Sequence, residues 1–192
     1  VSGSLIEDMP KNTEFYKDIK FFEKEFGGIM PLEILIDTKK EKGVMKLSTL
    51  KKMEKINETI ESFPELSKPI SVVNLVKYSK QAYYKGNPKY YQLPTNQEQS
   101  YIFSYTKNSN SDAGMLKNFV DSTGRYARIT TFMKDIGTEK MDIIQERLKA
   151  VIDKEFPSDS YSVSITGKAL VFIKGTNYLI SNLVFSLSLA IV

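Results

Sequence analysis

The sequence predicts an α+β protein: a ferredoxin-like split βαβ sandwich, an antiparallel sheet with helices on one face, carrying a helical insertion. Three observations predict it. Apolar and polar residues alternate with a period of two in residues 30–38, 125–134 and 161–166. Apolar residues recur at three- and four-residue steps in 48–62 and again in 138–152. The order of the pieces is a leading helix, strand–helix–strand, an insertion, then strand–helix–strand.

The leading helix spans about Glu14 to Phe26, with Asn12 or Thr13 as its cap, after an extended lead-in from Val1 to Pro10. Phe15, Ile19, Phe22 and Phe26 form one sticky face, expected to belong to the core. The paired glycines Gly27 and Gly28 end the helix, because glycine takes the left-handed cap without a Cβ penalty. Pro31 stands at the start of the first strand, where a missing N–H does least harm. Leu32, Ile34 and Ile36 share one face of that strand, and Glu33, Leu35 and Asp37 the other. Residues 39–43 are a solvated turn. Ser48 or Thr49 is expected to cap a second helix to about Ser62, with Leu50, Met53, Ile56, Ile60 and Phe63 as its buried stripe. Pro64 and Pro69 bracket the exit. A second strand is expected near Ile70 to Val73, although Val72 to Tyr84 also reads as the start of a helix.

Residues 74–121 form the expected insertion, and they hold seven of the eleven tyrosines. Gly86-Asn87-Pro88 and Leu93-Pro94-Thr95 are turn signals. Thr95 and Glu98 make a capping box for a helix to about Thr106, and residues 108–114 form a polar loop. Tyrosine offers an apolar body with a polar tip, so Tyr83, Tyr84, Tyr90 and Tyr91 are the expected substrate-binding residues; the competing reading is that the tyrosines pack helices together.

Ser122-Thr123-Gly124 turns the chain into a strand from Arg125 to Lys134, in which Ala127, Ile129, Thr131 and Met133 face one way. A helix starts at Gly137-Thr138 with acidic residues in its first turn, buries Met141, Ile144, Leu148, Val151 and Ile152, and closes at Pro157. The last strand, Tyr161 to Thr166, turns Tyr161, Val163 and Ile165 inward, and Gly167 breaks it.

The chain has 192 residues, 41% hydrophobic and 26% charged, enough for a real core. Its net charge of +4 comes from 27 basic and 23 acidic residues that are well mixed, so no nucleic-acid stripe is visible. Glu33 and Asp37 on the open sheet face would repel phosphate. The chain has neither Cys nor His, which removes thiol nucleophiles, Ser-His-Asp triads, zinc fingers and histidine metal sites. No glycine-rich phosphate loop occurs, and Arg125, Arg128 and Arg147, the three arginines, do not converge. No enzyme activity, metal or cofactor is expected.

Lys174 is the last charged residue, and Gly175 to Val192 is an apolar run. It is expected to be the start of a transmembrane helix; the alternative is an amphipathic helix packed on the domain. The expected organisation is a domain at 1–174 and a membrane segment at 175–192. A chain that opens on Val and stops within an apolar run is expected to be a piece of a longer protein.

The chain resembles the first extracytoplasmic loop of RND-superfamily exporters of the MMPL, or hydrophobe-exporter, type. The features that carry the resemblance are Glu7-Asp8-Met9-Pro10, a helix ending in Phe26-Gly27-Gly28, and Pro31 leading into a strand. Ser71-Val72-Val73 opening a helix, Arg128-Ile129-Thr130 in a strand, and Thr166-Gly167 before the terminal helix complete the set. The resemblance covers essentially the whole chain and lies in the order of the pieces. It implies a porter domain in the inner membrane of a bacterium, facing the periplasm or the cell exterior. Its partners would be the membrane-spanning remainder of the protein and a second porter domain, with a lipid or other hydrophobic substrate between them. The family's proton-relay carboxylates lie in transmembrane helices outside this segment. The alternative function is a membrane-tethered ligand-binding or sensor domain.

Overall fold

A computed structural model describes residues 9–108 and 114–191. The expected lead-in, with Glu7 and Asp8, and most of the expected polar loop at 108–114 lie outside the described residues.

Helix α1 (Glu14–Phe26) is capped by Thr13, whose Oγ1 accepts from the Tyr16 N–H at 3.3 Å. It ends at Gly27 in the left-handed region, φ +78°. Strand β1 (Met30–Asp37) follows at once, then α2 (Leu47–Glu61) and α3 (Val72–Tyr83). A 3-10 turn (Pro88–Tyr90) and α4 (Gln99–Asn108) come next, then β2 (Tyr126–Met133), α5 (Thr138–Glu155), β3 (Ser162–Thr166) and α6 (Lys168–Ile191).

The three strands form an antiparallel sheet in the order β2-β1-β3, with Ile34 opposite Ile129 on one side and Ile165 on the other. Leu32, Ile34 and Ile36 are completely buried and pack in one cluster with Met53, Ile56 and Ile60 of α2 and Met141, Ile144 and Leu148 of α5. The opposite face carries Glu33, Leu35, Arg128 and Ser164 and meets solvent. The protein is therefore an α+β, ferredoxin-like sandwich with a helical insertion, as the alternation and the element order predict.

The second strand of the first βαβ unit lies at residues 65–70, earlier than Ile70–Val73, and is reduced to two bridges on the outer edge of β2, Leu66 with Met133 and Ile70 with Thr130. Its shortness has a local cause. Pro69 has no N–H to give, and Ser71 opens α3 directly: its N–H donates to Asn74 Oδ1 at 3.1 Å, so Val72 and Val73 become a buried first turn. Side-chain acceptors and single backbone bonds together replace the regular ladder. Along the outer edge of β2, Phe132 N–H donates to Ser67 Oγ at 2.9 Å and Tyr126 N–H to Asp121 Oδ1 at 2.8 Å. The backbone N–H groups of Arg128, Thr130 and Lys134 donate to the carbonyls of Phe119, Ile70 and Glu65. Helix α2 also starts earlier than Ser48 or Thr49 would cap it, because Leu47 is itself drawn into the core at 5% exposure.

The terminal helices depart from expectation in a way that matters for function. Phe15, Phe22 and Phe26, expected in the core, are each more than half exposed. Helix α1 docks through another side: Glu23 is buried, and its Oε1 accepts from the Asp135 N–H at 2.6 Å. Gly28 fits so tightly that a Cβ there would lie 2.5 Å from the Met133 backbone. These two contacts fix the C-terminal end of α1 and leave its phenylalanine stripe facing outward. Helix α6 leaves the same end of the sheet, since Gly167, φ +111°, sits against the backbone of Pro31, Leu32 and Glu33. Leu170 is buried, but Tyr178, Leu179, Leu183, Val184, Phe185, Leu187 and Leu189 are each more than half exposed, so α6 is not packed down on the domain. Among the described residues no helix is long and apolar enough to cross a membrane.

Candidate functional site: an aromatic groove beside the insertion

A concavity of about 860 Å³ lies between the end of α1, the reduced second strand and the insertion. Its position follows from the chain. Gly27 ends α1 and leaves Phe26 on one wall; Ser67 to Ile70 form the floor; Asn74 and Tyr78, one helical turn apart on α3, form the second wall. Tyr91, just after the 3-10 turn, and Phe132 of β2 close it. Tyr78 and Tyr91 meet edge to face, with ring centroids 4.8 Å apart. Lys24, Glu25, Glu61 and Lys68 ring the opening with charges of both signs. Such a volume falls in the usual range of small-molecule sites, about 300–1,000 Å³.

A polar chain runs beneath the aromatic walls. Asn57 Nδ2 donates to Ser71 Oγ at 3.0 Å, Ser71 Oγ donates to Asn74 Oδ1 at 2.9 Å, and Asn74 Nδ2 donates to the Tyr91 hydroxyl oxygen at 3.3 Å. Lys77 stands 5.6 Å from the centre of the Tyr91 ring and pairs with Glu54. Tyr91 is thus held in place from two sides while part of it faces the groove.

Of the four tyrosines expected to bind substrate, Tyr91 lines this groove. Tyr83, Tyr84 and Tyr90 belong to a second aromatic cluster at the other end of α3. There Tyr84 stacks on Tyr90 at 4.1 Å, and Tyr83 touches Tyr84, Tyr101 and Tyr105. The centre of this cluster is an ion pair. Lys80, 2% exposed, reaches Glu98 Oε2 at 2.7 Å, and the Tyr84 hydroxyl donates to Glu98 Oε1 at 2.9 Å. The expected capping box is formed as well: Thr95 N–H donates to Glu98 Oε2 at 2.8 Å and Glu98 N–H to Thr95 Oγ1 at 3.3 Å. Burial opposes ionisation of Glu98, but the hydrogen bonds from Lys80, Thr95 and Tyr84 outweigh it and hold the carboxyl at about 2. The Tyr84 hydroxyl, bonded first to Tyr101 and then to Glu98, is held above the ordinary phenol range. This cluster ties α3 to α4.

Sequence reasoning did not assign Tyr78, Phe26, Ile70 and Phe132 to the site. Phe26 was visible as part of the α1 stripe, and Tyr78 as one of the insertion tyrosines. Ile70 and Phe132 carry no local signal, since only the sheet pairing brings them beside α3.

The arginines are all engaged in the fold. Arg125 makes a two-pronged bond to Asp37 at 2.6 and 2.7 Å, which holds that carboxyl at about 2. Arg128 donates to the Asn118 carbonyl at 2.8 Å, and Arg147 covers the Phe63 ring at 4.7 Å. Among the described residues no cluster of carboxylates could hold a metal ion. The arrangement offers shape and apolar surface, with no nucleophile–base pair assembled in the groove.

No protein-family model matches the chain, and no curated protein matches it.

Proposed function

We propose that the chain is an extracytoplasmic porter domain of a proton-driven RND-type exporter for lipids or other hydrophobic substrates. In this reading it stands on the bacterial inner membrane and moves as a near-rigid body, opening and closing a substrate route against a second porter domain of the same protein. Binding and movement, not catalysis, are its work. The observation that carries the reading is that the end of α1 and the start of α6 are rooted at the same end of the sheet. Glycines at 28 and 167 bring α1 and α6 to the same end of β1, and both expose apolar side chains that the domain leaves uncovered. The exposed leucines, Val184 and Phe185 of α6, with no charge after Lys174, suit lipid surroundings better than water. The aromatic groove, next to the root of α1, supplies a surface for an apolar cargo.

The test is the membrane topology of the full-length protein, mapped by labelling single engineered cysteines from either side of the membrane. The expected pattern is one span before this domain, several after it, and a second loop of similar size on the same side. A single span followed by a signalling module would overturn the exporter and leave the alternative, a tethered ligand-binding or sensor domain.

A further inference from the structure

We infer that the groove between α1 and α3 binds a single-chain amphiphile whose headgroup accepts a hydrogen bond, with the head at Tyr91 and the alkyl chain running over Ile70 and Phe132 to Phe26. The inference deepens the exporter reading, on which it rests only for the source of the ligand. Three features of the groove choose this occupant.

The first is an unspent donor. Asn74 uses the Tyr91 oxygen as an acceptor, and among the described residues nothing accepts the Tyr91 hydroxyl proton. The bond from Asn74 and the edge-to-face contact with Tyr78 fix that ring and its hydroxyl in the wall of the groove. A carboxylate, ester or amide oxygen would complete it.

The second feature argues against an extended peptide. A peptide strand binds by forming a ladder with backbone groups of its host. Along the floor of the groove Ser67 and Ile70 commit their N–H groups to Phe132 and Thr130 of β2 and Pro69 has none, which leaves the Lys68 N–H alone, too little for a ladder. An alkyl chain needs no such partners.

The third feature is continuity. Phe26, at the groove's outer end, stacks on Phe22 at 5.3 Å, and Phe15 lies on the same face two turns further along α1. The apolar surface thus runs out of the groove along an exposed helix, which is the shape of a long chain and not of a compact ligand. The rim charges, Lys24 and Lys68 against Glu25 and Glu61, cancel, so the selection falls on the hydroxyl.

The test uses the purified chain and two probes with the same ten-carbon tail, decanoate and decyltrimethylammonium, below their micelle concentrations. Only decanoate can accept from Tyr91. Binding is followed by NMR shifts of assigned side-chain resonances. The expected result is that decanoate shifts Ile70, Tyr91 and Phe132, and that Tyr91→Phe lowers its affinity about tenfold, the value of one hydrogen bond to a charged group, while leaving decyltrimethylammonium unchanged. Ile70→Asp should weaken both probes; should that variant not fold, Tyr78→Ser, at a side chain 60% exposed, serves the same purpose. Equal loss of both probes in Tyr91→Phe, shifts confined to α6, or no binding of decanoate would each overturn the inference. Its failure is separable from that of the exporter reading, because span counting does not depend on the groove and decanoate binding does not depend on the number of spans.

Discussion

At the middle of the sandwich, Leu32, Ile34, Ile36, Ile56, Ile129 and Leu148 are fully buried and meet one another. In the insertion, Val76 and Ile102 join that apolar core, and beside them a charged side chain, Lys80, is buried as well, ringed by Glu98, the Leu93 carbonyl and tyrosines. The two regions belong to one chain and share a boundary at α3, yet different forces close them. Apolar packing is non-directional and independent of pH, so the sandwich tolerates a second strand reduced to two bridges. A buried ion pair holds only while both partners are charged and hydrogen-bonded. The lesson is that the frame is built to stay fixed, and that the piece bearing the tyrosines hangs on a bond that can be broken alone.

The largest effect expected from breaking this contrast lies in the frame. Ile34→Ala removes a fully buried side chain between β2, β3 and the helices, and should cost about 3–4 kcal/mol, lowering the denaturant midpoint of the whole chain. Hydrogen exchange should then quicken in sheet and insertion together.

Glu98→Gln should cost somewhat less, about 3 kcal/mol, because it leaves the Lys80 ammonium buried beside a neutral amide. Its signature is regional: faster exchange in α3 and α4 with β1 and α5 unchanged. Equal loosening of both regions would refute the division. Acid should act in the same place. The folded-state value of Glu98, about 2, lies below the ordinary value, so its contribution is fully present above the unfolded-state value and is lost as pH falls toward 2. The melting temperature should drop over that interval, and drop less steeply in Glu98→Gln. Asp37 titrates in the same window through its bond to Arg125, but that arginine is 40% exposed, so water screens the pair and the frame should yield less than the insertion.

How far the two regions were legible in sequence follows from the same difference. The period-two alternation at Leu32, Ile34 and Ile36 and the α2 and α5 stripes state their partners by pattern alone, because burial imposes periodicity. The insertion is written in pairwise chemistry. Only the Thr95–Glu98 box is local enough to read; Lys80 with Glu98 and Tyr84 with Tyr90 are pairs no period announces. The α1 stripe misled for a physical reason. An amphipathic pattern says that a face is to be covered, not by what, and here Glu23 and the fit of Gly28 dock the helix while Phe15, Phe22 and Phe26 stay uncovered. The second strand lies a few residues before the expected place because Val72 and Val73 suit a strand in isolation, and the Ser71–Asn74 cap turns them into helix while Ile70 stays paired.

The smallest effect expected is at the edge of the ion pair. Tyr84→Phe keeps the ring that stacks on Tyr90 and removes the hydroxyl shared with Glu98 and Tyr101. In the native chain an ultraviolet titration should show Tyr84 ionising late, since deprotonating it places a phenolate against the Glu98 carboxylate and ends the hydrogen bond it donates there. The stability linked to this hydroxyl is present below the ordinary phenol value and is lost as pH rises above it. In Tyr84→Phe the late transition should vanish, with the melting temperature at neutral pH only slightly lower. A late transition that survives the substitution would assign the perturbed hydroxyl elsewhere, and would leave Lys80 and Thr95 to hold Glu98 without the tyrosine.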